Sequence, residues 1–285
     1  MTGSRARAEA FAVLTGASLA RWTSPDGISV DPFLQAAVRT QLRGEGRRSW
    51  VAGAVRLVAG ALSGDGDDLA SRARTGRLVP HALAVSGYEE AAETEPLATS
   101  WLLERVAGHE QTRGRVADAR RLLHRSLAVV RAAYGPEHPL VGRSLATLAL
   151  LLQDMGELTE ARNGFERALA IGERAYGLDH PEVGAHLGNL AVVLQDLGEL
   201  TGARACLERA LPVAEAAHGP DHPAVAIVLN NLGSVLGDLG DLTAARRYFE
   251  RALAVGEATL GPEHPTVRSI RANRAQLLRT PGIAD

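Results

Sequence analysis

From residue 97 onward the apolar side chains return in a fixed rhythm. Leu187, Leu190, Ala191, Leu194 and Leu197 follow in steps of three, one, three and three, which places them on one face of a 3.6-residue helix. After Gly198 come Leu200, Ala203, Leu207, Ala210 and Leu211, stepping mainly by three and four, with Arg204 set one turn before Glu208 on the outer face. Two helices joined by so short a turn must pack antiparallel. The unit then recurs: Gly135-Pro136-Glu137-His138-Pro139 returns as Gly177-Leu178-Asp179-His180-Pro181, Gly219-Pro220-Asp221-His222-Pro223 and Gly261-Pro262-Glu263-His264-Pro265, 42 residues apart each time. Gly114, Gly156, Gly198 and Gly240 keep the same step. Two marks per period frame two helices per period. Gly198 offers the positive φ or close approach that ends the first helix, and Pro181 the fixed φ of a helix's first turn.

The small residues of the pattern matter as much as the large ones, because they let helices approach to roughly 8–10 Å. Leu190-Ala191 with Leu194, then Ala203, Leu207 and Ala210, resembles the tetratricopeptide pattern of large, small, large followed by Ala, aromatic or Leu, Ala. Its neighbours carry Leu148, Ala149, Leu152, Ala161, Phe165 and Ala168, and Leu232, Gly233, Leu236, Ala245, Phe249 and Ala252. The 42-residue length and the G-P-[ED]-H-P connector are similar to the kinesin light chain subgroup. A degenerate copy spans about 97–134, with Ala119, Leu123 and Ser126 at the second-helix positions, and 266–279 reads as a lone first helix. There Arg274 replaces a Leu and Arg268 and Arg271 are added, as a solvent-facing cap requires. The expected architecture is all-α: a right-handed superhelical solenoid of four hairpins and a capping helix over 97–280, with a tail at 281–285.

Residues 1–96 do not share the period. An apolar run at 17–20, the Asp26-Gly27 turn and Ile28-Ser29-Val30 predict a small β-hairpin. Asp31-Pro32 opens a helix through Phe33, Leu34, Ala37, Val38 and Leu42, and further helices are expected at about 49–62 and 78–86, with a polar turn at 64–68. The run from Asp26 to Arg39 resembles the tail of the winged-helix part of an NB-ARC module in bacterial STAND signalling ATPases, although those proteins carry His where this chain has Asp31. Leu78-Val79-Pro80-His81-Ala82 is similar to the segment leading into their repeat array. The resemblance implies a winged-helix-like remnant at 1–45 and a helical connector at 46–96, a truncated or split relative without the nucleotide-binding core.

Composition narrows the chemistry. The 31 basic residues are all Arg; without lysine there is no Schiff base and no Walker A loop, so nucleotide hydrolysis in this chain is not expected. A net charge of −2 offers no general field for nucleic acid, despite eleven Arg against seven acids in residues 1–80. Arg5, Arg7, Arg43, Arg47 and Arg48 keep a nucleic-acid-associated role as an alternative, and an ATP-binding role inherited from the complete STAND family is a second one. The single Cys206 fits a reducing cytoplasm and is read as a packing or surface residue. The four His-Pro pairs lie in different layers, roughly 10 Å or more apart, while zinc needs ligands at about 2 Å; they read as helix-start caps. Arg162, Arg204 and Arg246 each precede a Glu by four and predict exposed pairs.

No catalytic, metal or cofactor site is expected, which leaves a scaffold that binds a peptide or protein partner. Asn189, Asn231 and Asn273 recur at 42 before the large-small pair of the first helix, and an amide can pair with any peptide backbone. By resemblance this position carries an Asn that contacts ligand in carboxylate-binding tetratricopeptide proteins, where the first helices line the groove. The competing reading is that these amides bond a neighbouring helix. Thr147 takes the position in the second hairpin, and Arg143, Asn230 and Arg279 fall on or near the same face, which suits a peptide with a carboxylate or acidic groups. Asp154, Asp196 and Asp238 near the helix ends make the face mixed in charge.

Overall fold

A computed structural model describes residues 20–24, 27–30, 44–63 and 69–279. The helix expected after Asp31, the polar turn at 64–68, the tail, and Arg5, Arg7 and Arg43 lie outside those residues. Two compact units divide at Ala98 and Thr99.

In the first unit, strands β1 (Ala20–Ser24) and β2 (Gly27–Val30) pair antiparallel, with Ala20 opposite Val30 and Trp22 opposite Ile28. The first strand therefore runs later than the apolar run at 17–20, since its last residue, Ser24, pairs with Gly27. Helix α1 (Gly44–Leu62) packs on α2 (Leu69–Ser86) and α3 (Glu89–Thr94), and its Val51, Ala52, Val55 and Leu62 are buried. Both longer helices begin earlier than 49 and 78. Residues 69–77 hold three Arg and a Gly, so no apolar period betrays that turn, and α2 continues through Pro80 at the loss of one backbone bond. Arg47 pairs with Glu90 at 2.5 Å and Arg48 with Glu93 at 3.1 Å, tying α1 to α3.

The second unit is a stack of antiparallel helix pairs. Helix α4 (Pro96–Thr112), which begins just before the division, is followed by α5 (Val116–Tyr134). Then come α6 (Pro139–Asp154) with α7 (Leu158–Tyr176), α8 (Pro181–Asp196) with α9 (Leu200–His218), α10 (Pro223–Asp238) with α11 (Leu242–Leu260), and α12 (Pro265–Leu277) alone. Each second helix also packs on the first helix of the next pair. The positions picked out by period are the core: Ala149, Phe165, Ala191, Leu207 and Ala245 are fully buried, and one continuous cluster runs from Ala107 to Leu277. Ser126, where its successors have Ala, is also buried and donates to Glu104 Oε1 at 2.9 Å, which Ser144 shares. That hydroxyl is satisfied by α4 and so tolerated in the core.

Both punctuation marks have a local cause. Gly198 takes φ +77°; its N–H reaches Gln195 at 2.9 Å and the Glu199 N–H reaches Leu194 at 2.8 Å, a Schellman closure of α8. At the other mark, Gly177 turns the chain at φ +86° and His180 starts α8: its Nδ1 accepts from Glu182 N–H at 3.2 Å while its ring stacks on Tyr176 at 4.3 Å. His138 and His222 repeat both contacts, on Tyr134 and His218, and His264 repeats the cap.

Candidate functional site

First helices share one layer of the stack and second helices the other, and their polar side chains behave differently. In the second-helix layer, Arg209 of α9 reaches Glu173 of α7 at 2.6 Å and Arg251 of α11 repeats the contact on Glu215 of α9 at 2.5 Å. Between the layers, Arg271 of the first helix α12 holds Glu257 of the second helix α11 at 2.6 Å. Arg204 and Arg246 pair with Glu208 and Glu250 as expected, at 2.7 and 2.9 Å. Arg162 instead turns to Glu199 at 2.8 Å, leaving Glu166 at 3.8 Å, because the next hairpin presents a carboxylate at closer range.

The first-helix layer is linked by neutral donors. Gln111 donates to Asp154 at 2.6 Å, Gln153 to Asp196 at 3.0 Å and Gln195 to Asp238 at 2.6 Å. Each Asp ends its helix, at the negative pole of the macrodipole, where a carboxylate is disfavoured. The amide from the preceding hairpin offsets this with a charge-assisted bond. The three acids that make the face mixed in charge are therefore part of a structural ladder. Its sequence signal was a Gln one residue before each of two Asp at the common period, reaching a partner 43 residues on.

The expected partner-binding residues divide. Asn189 is half-buried in α8, and its side-chain amide makes no hydrogen bond among the described residues. Asn273 donates to Asn230 at 3.0 Å and Asn230 to Asn231 at 3.2 Å, so at this end the amides bond one another across α10 and α12. The Asn231 amino group has no acceptor among the described residues. Thr147 bonds back to the Arg143 carbonyl at 3.1 Å. Arg143 and Arg279 are exposed and carry no ion pair among the described residues. Sequence reasoning missed the apolar members of the same face: Leu150 is 44 % exposed and Ile227 47 %. Both lie three or four residues from the Thr147 or Asn231 position, so marking first-helix positions that the core leaves unused would have found them. Trp101 and Arg105 stand one repeat earlier on α4, at positions equivalent to Arg143 and Thr147, with the guanidinium 5.7 Å from the indole ring.

Cys206 is half-buried, and burial pushes its thiol up, with Arg209 opposing and Glu166 reinforcing the shift. A raised thiol is a poor nucleophile at neutral pH. Among the described residues no helix is long and apolar enough to cross a membrane, and no three His, Cys, Asp or Glu side chains stand together as ligands for a metal ion.

Comparison with known proteins agrees with this geometry. No curated protein matches in sequence. A crystal structure from Podosopora anserina, described as a kinesin light chain with nearly identical TPR-like repeats, superposes with a TM-score of 0.55 at 26% identity, covering 62% of this chain and 85% of that one. BtubC (BKLC) from P. vanneervenii gives 0.55 at 20% identity over 78% of this chain and 93% of its own. The apo form of RapI gives 0.59 at 14% identity over 86% and 67%, a likeness of fold alone. The tetratricopeptide repeat family model matches residues 98–171, 144–198, 182–258 and 225–282. The chain belongs to the tetratricopeptide repeat family, with a kinesin light chain-like solenoid.

Proposed function

We propose that the first-helix face is the working surface of a non-catalytic scaffold that holds a segment of a protein partner in extended form. Asn189 carries the reading: an amide with both its hydrogen-bonding functions unused, set at mid-helix between exposed Arg143 and Leu150 on α6 and exposed Ile227 on α10. Such an amide can bond a backbone of any sequence, Arg143 suits an acidic group, and the exposed aliphatic chains gain from being covered. Asn231 offers a second donor; Asn230 and Asn273 position it, and Arg279 stands at the far end.

The test is capture of partners from a host lysate with the full chain and with two variants of equal fold. Partners of this surface are retained by Arg209→Ala, on the opposite layer, and lost with Asn189→Ala plus Leu150→Glu. Equal retention by both variants would remove the first-helix face from the mechanism.

The narrower role as sensor or adaptor in a STAND-type system rests on the resemblance at residues 26–39 and 78–82, and upstream genomic sequence encoding a P-loop would support it. The cytoplasmic assignment rests on the unpaired Cys206. For the nucleic-acid alternative, Arg47 and Arg48 are already engaged by Glu90 and Glu93. DNA titrated at low salt should show no binding that depends on residues 1–50.

A further inference from the structure

The last hairpin breaks its own pattern. Where α6 and α8 carry Ala149 and Ala191, α10 has Gly233, and where they carry Gln153 and Gln195 it has Gly237. The missing side chains leave a hollow of about 120 Å³ between α10 and α12, with the Phe249 ring and Leu277 as its apolar walls and Ser234, Asp238, Asn273 and Gln276 as its polar ones. The glycines let the walls close in: a Cβ on Gly233 would stand 3.0 Å from the Phe249 ring, and one on Gly237 3.1 Å from Leu277.

Beside the Ser234 hydroxyl and the Gln276 amide, which can both donate and accept, the lining carries two acceptors with no donor among the described residues. Gln195 satisfies only Oδ2 of Asp238 and also bonds Ser234 at 2.9 Å, so the second Asp238 oxygen remains. Asn273 gives one of its two amide N–H groups to Asn230, and its carbonyl oxygen has no donor among the described residues. The final turns of α10 and α12 both end at this hollow, bringing the negative poles of two helices to one place. No cation is among the lining residues. Arg279, two residues beyond α12, forms no ion pair with Asp238, and among the described residues no other guanidinium does.

We infer that this hollow is a subsite for a basic side chain of the bound segment, an arginine above all. The planar guanidinium presents five donors in a fixed fork, which suits several acceptors fixed around an apolar wall better than a compact ammonium does. The inference rests on the first-helix face being the binding surface, and adds that the partner carries a positive charge at the end held by the fourth hairpin.

The experiment uses the full chain and a probe independent of any partner: N-acetyl-arginine amide, titrated while the backbone amide signals of Ser234, Gly237, Asn273 and Gln276 are followed by NMR. Saturable shifts at those signals are expected, with no response to the isosteric neutral citrulline analogue. Asp238→Asn, which can still accept from Gln195 and so keeps the ladder, should weaken binding by up to about fivefold, the scale of one partly exposed ion pair. Citrulline binding as well as arginine, or Asp238→Asn leaving the affinity unchanged, would overturn the subsite. Shifts spread evenly over the protein's acidic surface would do the same. Should the subsite fail while the Asn189 and Leu150 variant still loses its partners, the broader surface stands. Should the subsite hold while that variant keeps its partners, only the broader reading falls.

Discussion

The two layers of the hairpin stack are built from one repeat and share one core, yet they treat their polar groups in opposite ways. On the second-helix layer, guanidinium and carboxylate recur at intervals that let hairpins hold one another, as Arg209 holds Glu173 and Arg251 holds Glu215. On the first-helix layer the ladder of Gln and Asp occupies only the helix ends, and the middle of the face keeps Asn189, Arg143, Leu150 and Ile227 without partners among the described residues. A surface whose groups are already paired gives up those bonds to bind anything else. One whose donors and apolar chains stand open gives up only water. On the proposed scaffold function, that difference separates the binding side from the supporting side.

The largest break comes from beneath both layers. Phe165 is fully buried between them, and Phe165→Ala should cost about 3–5 kcal/mol, seen in urea unfolding, and abolish the contrast by loosening both faces at once. Ala191→Trp should do similar harm by overpacking. Next in size, Leu150→Glu with Asn189→Ala should weaken partner binding by about 1–2 kcal/mol while leaving the urea midpoint almost unmoved, which separates the face from the core. His180→Ala removes a cap from α8 and should cost about 1 kcal/mol in stability, with partner affinity at full folding unchanged.

A smaller effect appears with pH. His186 packs against Gly172 between the layers, and burial holds its ring below the ordinary imidazole value, with Glu182 opposing. The folded state therefore resists protonation that the unfolded chain accepts. Its contribution to stability is complete above about pH 6.5, the unfolded value, and declines as pH falls through that value toward the lowered folded one. His186→Leu should flatten the loss of stability between neutral and mildly acidic pH relative to the parent chain. Smallest of all, Arg251→Ala on the second-helix layer should cost under about 1 kcal/mol, a difference that added salt should shrink.

What the sequence disclosed follows from what repeats. Phe165, Leu207 and Phe249 stand at one step, and all three are core; the His-Pro connectors stand at the same step, and each His caps a helix. Repetition constrains residues that face the same neighbour in every layer, so it exposes the core, the turns and the caps. The working face is legible only in part, because its residues differ from layer to layer: Arg143, Ala185 and Ile227 share one position, and Thr147, Asn189 and Asn231 another. Equal Asn residues also meet different fates. Asn273 and Asn231 are drawn into a bonded chain because Asn230 stands between them, whereas Asn189 has Gly188 beside it and no such relay. The start of α2 was hidden for the opposite reason, since a turn with three Arg and a Gly has no apolar stripe to read.

Site-specific photo-crosslinking tests the central claim most directly. A photoreactive side chain at Ala185, exposed on the first-helix layer, and one at Ala205, exposed on the second, differ only in the side they face. The scaffold reading predicts that a partner captured by the full chain crosslinks to position 185 and not to position 205. Crosslinking confined to position 205 would contradict it.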